Sequence, residues 1–367
     1  MKKKISPILF LAFSCIFSCS SDSEEMFIEN PDPNPDQGSL YFPPIDSEEW
    51  ETVSISDLGW NSDAEMDLYN FLEEKNTKAF IILKDGKIVI EQYFNGATAT
   101  DNNPWYSAGK TLTSFMIGLA QQEGLLNIEQ SSNTYLGDQW ATITSDQENN
   151  ISVKNHLTMT TGLDYNVANQ NCTDPNCLTY LNEAGSFWYY HNAAYTLLSD
   201  IITGATGIEY TDYFDTKIKN NIGMNGTWLS LGYANVYYST ARSMARFGLL
   251  NLNKGTWENT PILTDLAYFT EMTSSSQNLN PSYGYLWWLN GKTSFRAPSF
   301  ETEFPGELMP DAPDDLFAGL GKDDQKLYVV PSQNLVIVRM GDDTGETLLG
   351  PSSFDNDLWI KINKLIN

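Results

Sequence analysis

The stretch Trp105-Tyr106-Ser107-Ala108-Gly109-Lys110-Thr111-Leu112-Thr113-Ser114 sets a lysine three residues after a serine. Residues i and i+3 share one face of a helix, so the Lys110 ammonium can reach the Ser107 hydroxyl. A helix N-terminus also directs unpaired N–H groups and partial positive charge at that oxygen. A lysine-activated nucleophile is built this way. The spacing alone is weak, and the alternative is a helix cap by Ser107 with a solvated Lys110. Its context carries more weight: a strand region passes here into an apolar helix, with Phe115, Met116, Leu119 and Leu126 at helical spacing. A free lysine has a pKa of about 10.4, whereas a base useful near neutrality needs roughly 7–8. Burial and a second proton-sharing group must supply that difference.

The second group is expected to be a tyrosine. Only His156 and His191 exist, neither in a triad motif, and the chain has no Gly-x-Ser-x-Gly nucleophile elbow. Tyr190-His191-Asn192 stands between an aromatic run, Phe187-Trp188-Tyr189, and the apolar helix pattern Ala193-Ala194-Tyr195-Thr196-Leu197-Leu198. A phenol before that helix can face the nucleophile and pass a proton to a leaving group. Asn192 would orient Lys110 or a substrate amide. Tyr189 is the rival for the phenol role, and His191 is expected to point away. Trp105, Trp188, Tyr189, Trp287 and Trp288 are candidates either for cleft walls or for core.

The chain has 367 residues and a formal charge of −26. No basic cluster follows the N-terminus, which argues against nucleic acid as a partner, because phosphate binding needs Lys and Arg. Lys2 to Lys4 followed by the apolar run Ile5 to Phe17 reads as a targeting segment too short to span a bilayer. Ile16-Phe17-Ser18-Cys19 resembles a lipobox, with Cys19 as the lipidated mature N-terminus. Ser20 to Glu25 resembles the acidic export tag of surface lipoproteins. An ordinary cleaved signal peptide is the alternative. The expectation is a cell-envelope protein, on the outer membrane or cell surface, held to the membrane through Cys19. Cys172 and Cys177, separated by Thr-Asp-Pro-Asn, read as a small-loop disulfide in an exported chain, with free thiols as the alternative. Neither a metal nor a cofactor is expected.

The elements that must position these residues follow from periodicity. Residues 1–18 are the expected signal and 19–50 an acidic, Pro-rich tether, leaving 51–367 as the folded domain. Ala64 to Glu74 predicts a helix. Lys78 to Phe94 predicts a hairpin about the Lys84-Asp85-Gly86-Lys87 turn. Asn192 to Thr206, ending at Gly207, and Thr240 to Leu252 predict further helices. Strands are expected at Tyr283 to Leu289, Lys326 to Val330 and Leu335 to Met340, with a closing helix from Phe354 to Ile366. The implied class is α+β: an antiparallel sheet built from both chain ends (about 51–106 and 280–367), with a mostly helical insertion over about 107–279.

These pieces, in their order and spacing, resemble the serine β-lactamase and DD-peptidase superfamily. The branch is that of class C β-lactamases, esterases of that fold and nylon-oligomer hydrolases. The residues carrying the resemblance are Ser107-Ala-Gly-Lys110, His156-Leu-Thr-Met-Thr-Thr-Gly162, Tyr190-His-Asn192-Ala-Ala-Tyr195, Ala245-Arg-Phe-Gly248 and Gln325-Lys-Leu-Tyr-Val-Val-Pro331. The resemblance implies a β-lactamase/transpeptidase-like fold, with Ser107 as nucleophile, Lys110 as base and Tyr190 as acid/base. It also implies a small-molecule or peptide substrate with an ester or amide bond. One departure stands out. The place of the family's Lys-Thr-Gly or His-x-Gly is taken by Gly319-Leu320-Gly321, followed by Lys322. The missing cation counts against efficient β-lactam turnover, and Lys322 is the candidate to supply charge from a shifted position. The oxyanion donors would be the backbone N–H groups of Ser107 and of a residue near Lys322. A non-catalytic ligand-binding or receptor protein of the same fold is the alternative reading.

Overall fold

The computed structural model describes residues 40–345 and 351–367. The expected signal peptide, the Cys19 anchor and the tether up to residue 39 lie outside the described residues. The helix α1 (Glu65–Glu74) precedes a hairpin, β1 (Thr77–Lys84) and β2 (Lys87–Tyr93). Its turn uses Asp85 and Gly86, both at positive φ (51° and 83°). That is the backbone twist a two-residue hairpin loop needs. From the other end of the chain come β3 (Trp288–Leu289), β4 (Phe317–Gly321), β5 (Gln325–Val330) and β6 (Leu335–Gly341). The sheet order is β2-β1-β6-β5-β4-β3, antiparallel throughout. Both chain ends therefore build one sheet, as expected.

The central strands read as unbroken apolar runs because both faces are covered. The helix α4 (Ala241–Leu252) packs on β5 and β6 from one side. The closing helix α5 (Ser353–Ile366) packs on the other, where Trp359 meets Tyr328 edge to face at 5.7 Å. The first turn of α5 is locked to β5 by a buried ion cluster. Lys326 Nζ lies 2.9 Å from Asp324 and 2.7 Å from Asp355. The Tyr328 hydroxyl donates to Asp355 at 2.5 Å. Removing one partner from such a cluster strands a buried charge, at a cost of roughly 3–5 kcal/mol.

Four expectations are corrected. The tether does not run to residue 50. Leu40, Phe42 and Trp50 pack against the core, and Arg246 of α4 donates to the carbonyls of Pro44 (2.8 Å), Ser47 (3.0 Å) and Ile222 (2.9 Å). The polar composition of the segment hides it, because its backbone carbonyls do the binding. The apolar helix expected to carry Phe115, Met116, Leu119 and Leu126 is α2 (Lys110–Gln122), which ends before Leu126. Only Trp288–Leu289 of the 283–289 stretch joins the sheet. The chain bends at Leu286 (φ 63°) to sink its aromatic rings into the core. The middle region is less helical than expected. It contains α3 (Asn192–Thr206) but also a hairpin of Thr227–Leu231 with Ala234–Ser239, and Asn103–Pro104 adds to that hairpin. Among the described residues, no helix is long and apolar enough to cross a membrane, and no group of His, Cys, Asp or Glu could hold a metal ion.

Candidate active site

Ser107 sits in a short 3-10 turn, Tyr106–Gly109, that leads directly into α2. The turn is held from both sides. Trp105 is fully buried, its backbone N–H donating to Tyr237 (2.8 Å) and its indole N–H to Ser239 (2.8 Å). Tyr106 has φ of 46°, an unfavourable conformation for a bulky L-residue, stored immediately before Ser107. The next residues turn Ser107 and Lys110 toward the same cleft.

Lys110 Nζ lies 3.0 Å from Ser107 Oγ and 3.1 Å from Asn192 Oδ1. Asn192 is the first residue of α3, so one helix start supplies the amide that fixes the amine. Burial pushes the Lys110 pKa down to about 7. A neutral amine can donate to Asn192 Oδ1, which only accepts, and still accept the Ser107 proton. Tyr190 lines the same cleft as Ser107, with Lys110 Nζ 5.1 Å from its ring centroid. Burial raises the Tyr190 pKa, outweighing the lowering effect of the Ser107 side chain, so the phenol stays protonated. The two pKa values move in opposite directions, yet both shifts disfavour charge and leave a neutral base beside a neutral acid.

The fold brings Ser107, Lys110, Tyr190, Asn192 and Lys322 to one cleft of about 320 Å³. Gly319 and Gly321 lie on β4, which runs alongside the serine turn. A Cβ on Gly321 would stand 2.3 Å from the Trp105 carbonyl oxygen, and one on Gly319 3.2 Å from Thr111 Cγ2. Close approach of strand to turn explains both glycines. Gly321→Ala is therefore expected to push β4 off the turn and cut turnover by about 100-fold or more, since a misplacement of 1 Å can cost that much. Gly319→Ala should cost far less. Steady-state rates, with circular dichroism to confirm folding, check the ranking.

Lys322 lines the cleft with its Nζ 5.7 Å from the Tyr106 ring centroid. It opens a tight turn whose Asp323 and Asp324 both have φ of 56°. Arg339, fully buried on β6, holds that turn by donating to the carbonyls of Asp323 (2.7 Å) and Asp324 (3.1 Å). It also donates to those of Lys75 (2.7 Å) and Asp342 (3.0 Å). Sequence reasoning missed this brace; a lone arginine in an apolar strand was its only signal.

Tyr190, not Tyr189, is the phenol that lines the cleft with Ser107. The Tyr189 ring stacks on Tyr165 at 3.6 Å, and its hydroxyl accepts from Gln170 at 3.3 Å. Trp105, Trp188, Trp287 and Trp288 are core residues and do not line the cleft. Both histidines are buried away from the cleft, and burial lowers each pKa to about 4. His156 Nδ1 donates to the Ala194 carbonyl at 2.7 Å. Cys172 and Cys177 are joined in a disulfide, Cα to Cα 5.9 Å. Gln170, Asn171 and Asn235 add carboxamides to the cleft, and among the described residues no Asp or Glu lines it. Nothing in their spacing marked these amides in advance.

A serine, a lysine and a tyrosine clustered beside the edge of an antiparallel sheet with helices on both faces define the class of β-lactamase- and transpeptidase-like proteins. The Beta-lactamase family model matches residues 73–351, and the chain belongs to that family. A Bacillus anthracis protein designated a 6-aminohexanoate-dimer hydrolase superimposes with a TM-score of 0.66 at 19% identity, covering 89% of each chain. A Bacteroides dorei protein designated a β-lactamase gives 0.66 at 14% identity, over 84% of this chain and 99% of the other. A penicillin-binding protein of Bacillus halodurans gives 0.59 at 13%, over 81% and 99%. At such identities the likeness is one of fold. Among curated proteins no sequence matches significantly.

Proposed function

We propose that the chain is a serine hydrolase working through an acyl-enzyme on an ester or amide. The observation that carries this is a buried amine, 3.0 Å from Ser107 Oγ and lowered to a pKa of about 7, with no carboxylate paired to it among the described residues. A structural lysine would gain nothing from that burial. Ser107 attacks the carbonyl as its proton passes to Lys110. Tyr190 protonates the leaving group and takes its proton back from the Lys110 ammonium, which returns the amine to its neutral form. Water then cleaves the ester by the reverse path. The backbone N–H groups of Ser107 and of the Lys322 turn are the proposed oxyanion donors. Lys322, with Asn192, would hold a polar or anionic part of a small or peptidic substrate. With Gly319 where a cation would stand, β-lactams should acylate poorly.

Intact-mass spectrometry across a panel of esters, amides and β-lactams, with peptide mapping of the adduct, tests the reading. The expected adduct is on Ser107, formed with esters or amides faster than with β-lactams. Binding of such compounds without any adduct would favour a receptor instead. Tyr190→Phe is expected to slow amide cleavage about 10²–10³-fold. Nitrophenyl esters, whose leaving group needs no proton, should lose less than about tenfold. Comparing the two substrates in steady state checks the assignment. The same proposal places the enzyme in the cell envelope through a lipid at Cys19, testable by incorporation of an alkyne fatty acid that Cys19→Ala abolishes.

A further inference from the structure

Lys110 presents an electrostatic problem that the serine, the asparagine and the tyrosine do not solve. It must become an ammonium during acylation while only 5% exposed. The charged and titratable groups facing it are few. Tyr190 faces it from the loop before α3, Tyr195 from α3 itself, Tyr106 from the serine turn and Lys322 from across the cleft. Among these described groups none is a carboxylate. What lies closest besides Ser107 and Asn192 is a ring: Lys110 Nζ stands 4.2 Å from the Tyr195 centroid, against 5.1 Å for Tyr190. Tyr195 follows Asn192 by three residues, so α3 presents the amide and the ring from one face. The ring is fixed from behind. Its hydroxyl shares Thr113 Oγ1 (3.2 Å) with the Tyr210 hydroxyl (2.7 Å), in the interior.

We propose that the face of Tyr195 acts as the counter-charge for the ammonium formed when Lys110 takes the Ser107 proton, in place of a carboxylate. The proton moves from Ser107 Oγ to Lys110 Nζ as the Oγ–carbon bond forms, and the ring's negative face stabilises the new charge. A carboxylate there would hold the amine permanently protonated and remove the base. A ring attracts the cation weakly enough to let it lose its proton again. Tyr195 is thus a positioning residue acting through Lys110, and the inference rests on Lys110 being the base.

The test reads the protonation of Lys110 directly, independently of any substrate. Protein labelled with 13Cε-lysine is titrated by NMR, the Lys110 resonance being assigned by its loss in Lys110→Met. Tyr195→Leu should lower the Lys110 midpoint by about 0.4–1.5 pH units, whereas Tyr195→Phe should leave it within about 0.2. A strongly fluorinated phenylalanine at position 195, which keeps the ring's outline but removes its negative face, should lower the midpoint relative to Tyr195→Phe. This comparison holds even if the leucine variant folds poorly. An unchanged midpoint in the fluorinated protein overturns the proposal. So does a Tyr195→Phe shift as large as that of Tyr195→Leu, which would assign the effect to the hydroxyl. Absence of acylation in wild type would sink the hydrolase reading but would not alter these midpoints.

Discussion

Ser107→Ala is expected to lower kcat on any cleaved ester by about 10⁴–10⁶-fold while leaving substrate affinity within a few-fold. The large factor arises because nucleophile, base and acid act as one unit, so loss of the nucleophile forfeits the benefit of the other two. Affinity survives because the methyl occupies the same turn, and Asn192, Lys322 and the cleft amides stay in place. The Lys110–Asn192 contact does not involve the serine. Stopped-flow turnover together with calorimetric binding of an uncleaved amide checks both halves. A residual rate within tenfold of wild type would mean that another nucleophile, or water, does the chemistry.

Lys110→Met should be nearly as damaging to acylation, by about 10³–10⁴-fold, and should change stability in the opposite direction. In wild type, activity should rise with pH through about 7, where the amine becomes neutral. It should then stay level into the ordinary phenol range, because the raised pKa of Tyr190 keeps its proton in place. The stability sign follows from linkage. Unfolded lysine titrates near 10.4, above the folded group, so between about pH 7 and 10.4 the unfolded chain binds more protons and stability rises with pH. Below pH 7 the folded protein carries the full cost of a buried ammonium, up to about 5 kcal/mol. Lys110→Met removes that cost, so its melting temperature should exceed that of wild type at pH 6, with the difference fading toward pH 10. Thermal scans of both proteins at the two pH values measure it. A variant less stable at pH 6 would contradict the burial of the amine as the source of its lowered pKa.

The clustering of Ser107, Lys110, Tyr190 and Asn192 was legible because these residues are local or lie at helix starts. Ser107 and Lys110 are separated by a single helical turn. Tyr190 and Asn192 flank the beginning of α3, where apolar spacing changes abruptly. The strands β1, β5 and β6 were legible as well, since continuous apolar runs between turn residues admit few alternatives. Long-range features were not legible. Arg339 and Arg246 hold distant carbonyl oxygens, which any residue possesses and no pattern reveals. The aromatic run at 283–289 has strand composition, but most of it is committed to the core by a bend at Leu286. Tyr195 looked like one more apolar position of a helix, because a ring used for its charge distribution has the same spacing as a ring used for packing.

The disulfide loop bears on the wall of the cleft. Gln170 and Asn171 of the cleft lie immediately before Cys172, and Asp174 inside the loop accepts a hydrogen bond from the Tyr233 hydroxyl at 2.6 Å. Tyr233 is the residue just before Ala234, Asn235 and Val236, which line the cleft from the hairpin. The loop closed by the disulfide is thus tied to the hairpin wall through Asp174 and Tyr233. With the two thiols reduced, Ser107 would already be in place but this wall would be unbraced. Under the proposed export, completion of the pocket would wait until those thiols oxidise.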